Sequence, residues 1–279
     1  KLGKENSKKS KDWIKDISDP NFKLIENILN YFCDELTPIT MRENIFKIIR
    51  KLYHLNEKVI SPQIFGNKEF VKAIIIHITS NDQSKISANC FYLLTHFFNE
   101  KTFKKDIDEK FIEALFNGLK IVREEEILND IVRILIEINF GFKEDEENLL
   151  VKVHSTNDNS RVYDEILIRV LNNETNDEKQ IQVLKCLNDL MNNQTKSIFY
   201  ESDLEVFIDI ILSKFQMTEN IELMKKLLSS LDKVTQYEEY NRSRYKMENI
   251  TEFLEDIQSA EDQPEEIKSI SKKILGNLT

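Results

Sequence analysis

The residues able to do acid–base, metal or nucleophilic chemistry are scattered through this chain in spacings that support none of it. The four histidines, His54, His77, His96 and His154, show no H-E-x-x-H spacing and no nearby cysteine, so no zinc-type ligand set forms along the sequence. Their neighbours, such as Tyr53 before His54 and two phenylalanines after His96, place most of them at helix surfaces or boundaries. Ser155 follows His154, but a nucleophile and its base are brought together by a fold, not by adjacency. Carboxylates cluster at Asp106 and Asp108 and at Glu124, Glu125 and Glu126. In a chain this acidic such pairs arise from composition, and exposed carboxylates lack the raised pKa of a general acid. Cys33, Cys90 and Cys186 lie far apart inside apolar helical patterns, which suggests neither a disulfide framework nor a C-x-x-C metal site and fits a reducing compartment. With no G-x-G-x-x-G or G-x-x-x-x-G-K either, no catalytic residue, cofactor-binding residue or metal ligand is expected, and the chain reads as a non-enzyme.

Bulk composition narrows the classes further. There are 49 acidic and 39 basic residues, a net charge of -10, which opposes a general nucleic-acid surface because counterion release needs clustered cations. The one basic run, Lys1, Lys4, Lys8, Lys9, Lys11 and Lys15, reads as a solvated flank. Apolar runs such as Val71 to Ile78 fall far short of the roughly 20 residues that span a membrane, so no membrane insertion is expected. The chain is 41% hydrophobic and 32% charged with only 5 glycines and 4 prolines, a composition that favours a folded, helical protein over turn-rich sheet.

Periodicity places the elements. Residues 1–18 read as a flexible basic flank and 19–279 as a single helical domain, since no Pro-, Gly- or Ser-rich linker interrupts the pattern. Helical spacing follows Pro20, through Leu24, Ile25, Ile28, Leu29 and Phe32, and again follows Pro38. Further helices are expected over 68–79, 84–98, 107–119, 123–139, 161–172, 177–192, 203–216, 219–234, 248–258 and 264–276. Gly141 is a candidate stop after the fourth of these, and 154–160 reads as a polar loop. The β-branched run Ile74 to Ile76 leaves a strand open as an alternative there. Helix-pair starts recur about every 40 to 55 residues, the period of armadillo and HEAT units that bury a shared core by stacking. The expected fold is therefore all-α, an armadillo/HEAT-like right-handed superhelical solenoid, with a generic helical bundle as the alternative.

One segment says more. In Ser197-Ile198-Phe199-Tyr200-Glu201-Ser202-Asp203-Leu204-Glu205, Ser202 and Glu205 have the spacing of a capping box. Leu204, Phe207, Ile208, Ile211, Leu212 and Phe215 then form a buried stripe, with Glu205, Asp209 and Lys214 nearer solvent. Phe199 and Tyr200 would fix the angle at which the chain enters the helix.

The same segment resembles the armadillo-repeat domain of the WISH/DIP family, whose corresponding helix is led by an aromatic, Tyr, a short polar pair, Asp and Leu, then an aliphatic run with an internal Asp. Here these are Phe199, Tyr200, Glu201-Ser202, Asp203, Leu204 and Ile208-Asp209-Ile210-Ile211. Downstream, Thr235-Gln236-Tyr237 and Tyr245-Lys246-Met247-Glu248-Asn249-Ile250 are similar to the family's close of the next helix and start of its last repeat. Upstream, Glu165 to Asn172 matches more weakly, so the resemblance covers about 165 to 250. It implies an armadillo solenoid that binds and activates the actin-related-protein (Arp) complex without a preformed mother filament. The product would be linear seed filaments, actin being engaged only indirectly, in the cytoplasm at the cortical actin cytoskeleton.

No family position identifies an indispensable contact. The basic concentration Lys225, Lys226, Arg242, Arg244 and Lys246, interleaved with Tyr237, Tyr240 and Tyr245, suits an acidic partner surface. The protein-binding candidates are thus Lys225, Lys226, Tyr237, Arg242, Arg244, Tyr245 and Lys246, whose rings equally suit closing the last repeat inward. A non-activating armadillo/HEAT adaptor and a formin-like regulatory repeat domain are the rival functions.

Overall fold

A computed structural model of the chain describes residues 23–34, 36–55, 67–80, 107–123, 125–143, 146–192 and 199–278, with isolated positions at 60, 62, 64, 90, 91, 93 and 94. Every regular element among them is helical: α1 (Leu24–Cys33), α2 (Ile39–Leu55), α3 (Lys68–Ser80), α4 (Glu109–Ile121), α5 (Glu125–Gly141), α6 (Leu149–Thr156), α7 (Ser160–Asn173), α8 (Asp177–Asn192), α9 (Glu201–Met217), α10 (Ile221–Val234), α11 (Glu238–Ser243), α12 (Met247–Ser259) and α13 (Glu265–Leu278). The fold is all-α and armadillo/HEAT-like, as the repeat period implies. The chain divides into two compact units, 1–134 and 135–279.

In the first unit α1 packs on α2 and α3, and α3 on α4. The aromatic heart is Phe32, whose ring lies 4.7 Å from that of Phe46 and 5.0 Å from that of Phe70. His77 belongs to this cluster: fully buried, it meets Glu43 Oε1 at 3.1 Å. The run Ile74 to Ile76 is helical, with Ile74 and Ile75 buried and Ile76 exposed, so helical facing overrides β propensity here. Asp108 caps α4 by accepting from the Phe111 amide at 2.9 Å. Gly118 marks a close approach of α4 and α5, since a β-carbon there would sit 3.2 Å from Ile131 Cδ1.

The second unit is a stack of helix pairs in which α10 is central, packing against α8, α9 and α13. Its inward face carries Leu223, Leu227, Leu228, Leu231 and Val234, and burying each such side chain contributes on the order of 1.5–3 kcal/mol. Polar bridges add register. Asn139 donates to Asp189 at 2.9 Å and accepts from Asn148 at 2.7 Å, while Lys185 reaches Asp189 at 2.7 Å. Ser230 on α10 donates to Asn188 on α8 at 3.0 Å. Asp232, buried on α10, accepts from Lys273 at 2.7 Å and Asn277 at 2.9 Å, both on α13.

Several local expectations are corrected. Residues 154–156 are not loop: α6 runs to Thr156, started by Asn148, whose side chain accepts from the Leu150 and Val151 amides. His154 is buried, 2.7 Å from Asp164 Oδ1, and His77 is buried too; an apolar setting holds both because each has a carboxylate partner. Helix α9 begins two residues before the expected start. Asp203, not Glu205, turns back on the chain, accepting from the Tyr200 amide at 3.3 Å, and Ser202 is an exposed first-turn residue. A one-and-a-half-turn helix, α11, was not foreseen between α10 and α12. Of the expected helix 84–98, residues 90, 91, 93 and 94 are helical and the others lie outside the described residues. His96, Asp106, Glu124 and the flank 1–18 also lie outside them.

Candidate protein-binding surface at α9 to α12

Helix α9 carries two faces. Leu204, Phe207, Ile208, Ile211 and Phe215 are buried, as the stripe predicts, joined by Ile210, while Leu212 of that stripe is only half-buried, at the edge facing α12. Phe199, just ahead of the helix, is 3% exposed, its ring 5.2 Å from Phe207 and 6.2 Å from Tyr237. Tyr200 instead stays exposed, with the Arg161 guanidinium 4.1 Å over its ring. Asp209 sits on the opposite, half-exposed face. Its carboxylate accepts from Lys246 Nζ at 2.7 Å and from the Tyr245 hydroxyl at 3.2 Å. Two separated stretches of the resemblance, the internal Asp of the aliphatic run and the Tyr-Lys of the last repeat, therefore meet in space.

The seven candidate residues are distributed unequally over this surface. Lys225 pairs with Glu266, Arg242 with Glu238, and Lys246 with Asp209. The bond from Glu266 raises the Lys225 pKa and that from Asp209 raises Lys246, each favouring the charged form. Lys226 is half-buried and Arg244 exposed; no carboxylate partner is seen for either among the described residues. Tyr237 is half-buried beside Phe199, and burial pushes its hydroxyl well above the usual tyrosine range. Tyr240 is fully buried and its hydroxyl finds no partner among the described residues, so its ring closes the repeat inward, while Tyr237 keeps one edge at the surface. Tyr245 spans the turn, its hydroxyl committed to Asp209.

Beside this turn, Leu212 and Phe253 floor an open groove of about 320 Å³ whose rim includes Lys246, Asn249, Glu252 and Asp256. Phe253 meets Phe215 edge-on at 5.1 Å, fixing α12 against α9. Helix α12 itself carries Glu248, Glu252, Glu255 and Asp256 and no cation.

Among the described residues no nucleophile is placed beside a base. Ser155 donates to the Lys152 carbonyl at 2.7 Å and not to His154. Burial raises the pKa of all three cysteine thiols, Cys186 to about 12, so none is an activated thiolate. Among the described residues no group of three or more His, Cys, Asp or Glu is placed to hold a metal ion, and no helix is long and apolar enough to cross a membrane.

Fold and surface thus define a helical-repeat protein-binding domain. Residues 124–250 match the family described as SPIN90/Ldb17, leucine-rich domain. Over that stretch the chain carries this domain; members of the SPIN90/Ldb17 family act as nucleation-promoting factors that activate the Arp2/3 complex. That is the WISH/DIP-like family of the resemblance, and its domain is a non-catalytic activator with the Arp2/3 complex as partner. The match starts at 124, well before the resemblance read from about 165, because α5 and α6 offer only leucine- and isoleucine-rich helical pattern to the eye. Two engineered proteins of known crystal structure are similar at 14% identity. One has a TM-score of 0.42 over 91% of this chain and 96% of its own, the other 0.46 over 96% and 68%. No curated protein matches the chain in sequence.

Proposed function

We propose that this chain switches the Arp2/3 complex into its filament-like active state without a preformed mother filament, yielding linear filaments that seed later branching, at the cortical actin cytoskeleton and in endocytosis. The observation that carries this reading is the SPIN90/Ldb17 match over 124–250, which takes in α9 through the start of α12. Activation of this kind is population shift: the domain binds the active arrangement more tightly than the inactive one, since equal affinity would move nothing. The polar bridges that tie α8 and α13 to α10, and the start of α12 to α9, support it, because a surface ordered before binding loses less entropy on docking.

In this reading the docking surface includes Lys225, Lys226, Tyr237, Arg242, Arg244, Tyr245 and Lys246 and faces an acidic patch of the partner. The cation-free α12 repels such a patch and steers it toward the turn ahead of that helix. Residues 19–279 act together as one domain behind a basic flank, 1–18.

The test is pyrene-labelled actin polymerisation with purified Arp2/3 complex and this chain, without other activator or preformed filament. Acceleration only when chain and complex are both present supports the reading. Binding without acceleration makes the chain an adaptor. Reversing Lys225, Lys226, Arg242 and Arg244 together weakens binding, and unchanged affinity in a folded variant removes this surface from the interface.

A further inference from the structure

The six cations between residues 225 and 246 are not equivalent: Lys233 is half-buried and bonded to Asn192 on α8. Lys225, Arg242 and Lys246 each carry a counter-charge on their own chain, so each adds little net field at the surface. Lys226 is half-buried on α10. Arg244 is exposed, and the side-chain contact it makes is a weak one, from its guanidinium to the Met247 thioether at 3.5 Å.

Arg244 also occupies an unusual backbone. It ends α11 at φ 49°, and Lys246, two residues on, opens α12 at φ 49°. Neither is glycine, and left-handed conformations at two side-chain-bearing residues persist only where the surroundings over-determine them. The surroundings here are specific. The Arg244 amide donates to the Tyr240 carbonyl at 2.8 Å, holding the turn to α11. On its other side Tyr245 and Lys246 both donate to Asp209, holding it to α9. The one residue of the turn whose side chain is not committed inside the chain is the arginine between these anchors. Its planar fork suits bidentate recognition of a carboxylate, and its backbone is fixed before any partner arrives.

We propose that Arg244 pairs with a carboxylate on the Arp2/3 surface and that Asp209 is its positioning residue, acting through Tyr245 and Lys246; this rests on the function proposed above. Of the matched cations, Lys225 ties α10 to α13 and Lys246 ties the start of α12 to α9, so part of their charge is spent within the chain.

The experiment is the affinity of the full chain for purified Arp2/3 complex, measured at several salt concentrations for Arg244→Glu, Arg244→Lys, Arg242→Glu, Lys225→Gln, Asp209→Asn and the Asp209→Asn/Arg244→Glu double variant, with helicity checked for each. Expected are about a tenfold or greater loss and a shallower salt dependence for Arg244→Glu, and smaller losses for Arg244→Lys and for Arg242→Glu and Lys225→Gln, whose charges are already matched within the chain. Asp209→Asn weakens binding severalfold alone and adds nothing in the Arg244→Glu background, a non-additivity that a merely structural role would not produce. Arg244→Glu binding like the unmodified chain overturns the proposal, and so does a fully additive double variant. If the unmodified chain itself does not bind the complex, the function proposed above falls and this assignment with it.

Discussion

Lys246 holds its ammonium 2.7 Å from Oδ1 of Asp209, 37 residues back in the chain, and so fastens the start of α12 to the middle of α9. Both side chains are roughly two-fifths exposed, which limits what the pair contributes. Exposed ion pairs are worth about 0.2–1 kcal/mol, and the Tyr245 hydroxyl adds a second bond to the same carboxylate. Asp209→Ala therefore lowers stability by about 1 kcal/mol, read as a small fall in the urea midpoint with an unchanged slope. A loss several times larger would mean that the turn, not only the pair, unfolds.

The His154–Asp164 contact is the opposite case. Both side chains are almost wholly buried and lie 2.7 Å apart, linking α6 to α7. Removing one member of a buried pair costs about 3–5 kcal/mol because the other must remain out of water. His154→Ala is expected to fall in that range. Asp164→Asn keeps a hydrogen-bonding group beside the imidazole and costs less, about 1–2 kcal/mol. Chemical denaturation of the two variants checks the order, and equal costs would show that packing of the ring, not the carboxylate, sets the energy.

These two contacts show what was readable in the sequence and what was not. The helix from Asp177 to Asn192 matches its periodic reading end to end, because about four and a half turns of apolar spacing outweigh local ambiguity. Most of the α9 stripe was equally legible, but which of the two aromatics ahead of it would pack was not: Phe199 is buried and Tyr200 exposed. His154 was not, since a histidine beside serine and threonine looks like loop until the partner ten residues on is folded against it. The site behaved likewise. Composition located a basic stretch, but whether a lysine is free or matched depends on carboxylates up to 41 residues away, as with Lys225 and Glu266, and no local pattern carries that. Asp209 stood in the family motif as an internal acid in an aliphatic run, and its two partners appeared only with the fold.

Glu137 on α5 gives a pH-dependent prediction. Burial raises its carboxyl above the ordinary glutamate value of 4.5, opposed by a hydrogen bond with Gln182 and by the charge of Lys179. A folded pKa above the unfolded one means that this group's stability contribution is fully present below the unfolded value and is lost as pH rises through the folded one. At pH 7 the ionised side chain is thus a small net cost. Glu137→Gln should be more stable than the unmodified chain at pH 7, by a few tenths of a kcal/mol for a half-exposed site. The advantage should vanish as pH falls below about 4.5, and thermal melts at pH 4 and 7 test it. A variant less stable at pH 7 would mean that Gln182 and Lys179 outweigh the burial.

Phe199 separates packing from docking. Its ring is 3% exposed and lies between Phe207 and Tyr237, so it sets where α9 starts relative to the end of α10. Truncating a buried phenylalanine to alanine costs about 3–5 kcal/mol, through lost transfer energy and the cavity left behind. Leucine keeps most of the apolar volume and costs about 1–1.5 kcal/mol. Phe199→Ala is therefore expected to lower the melting temperature sharply and to reduce actin-assembly activity in proportion to the folded fraction. Phe199→Leu should stay folded and fully active, because nothing in the buried ring is offered to a partner. Loss of activity in a folded Phe199→Leu variant would show that the exact pose of α9 against Tyr237 governs the docking turn that follows.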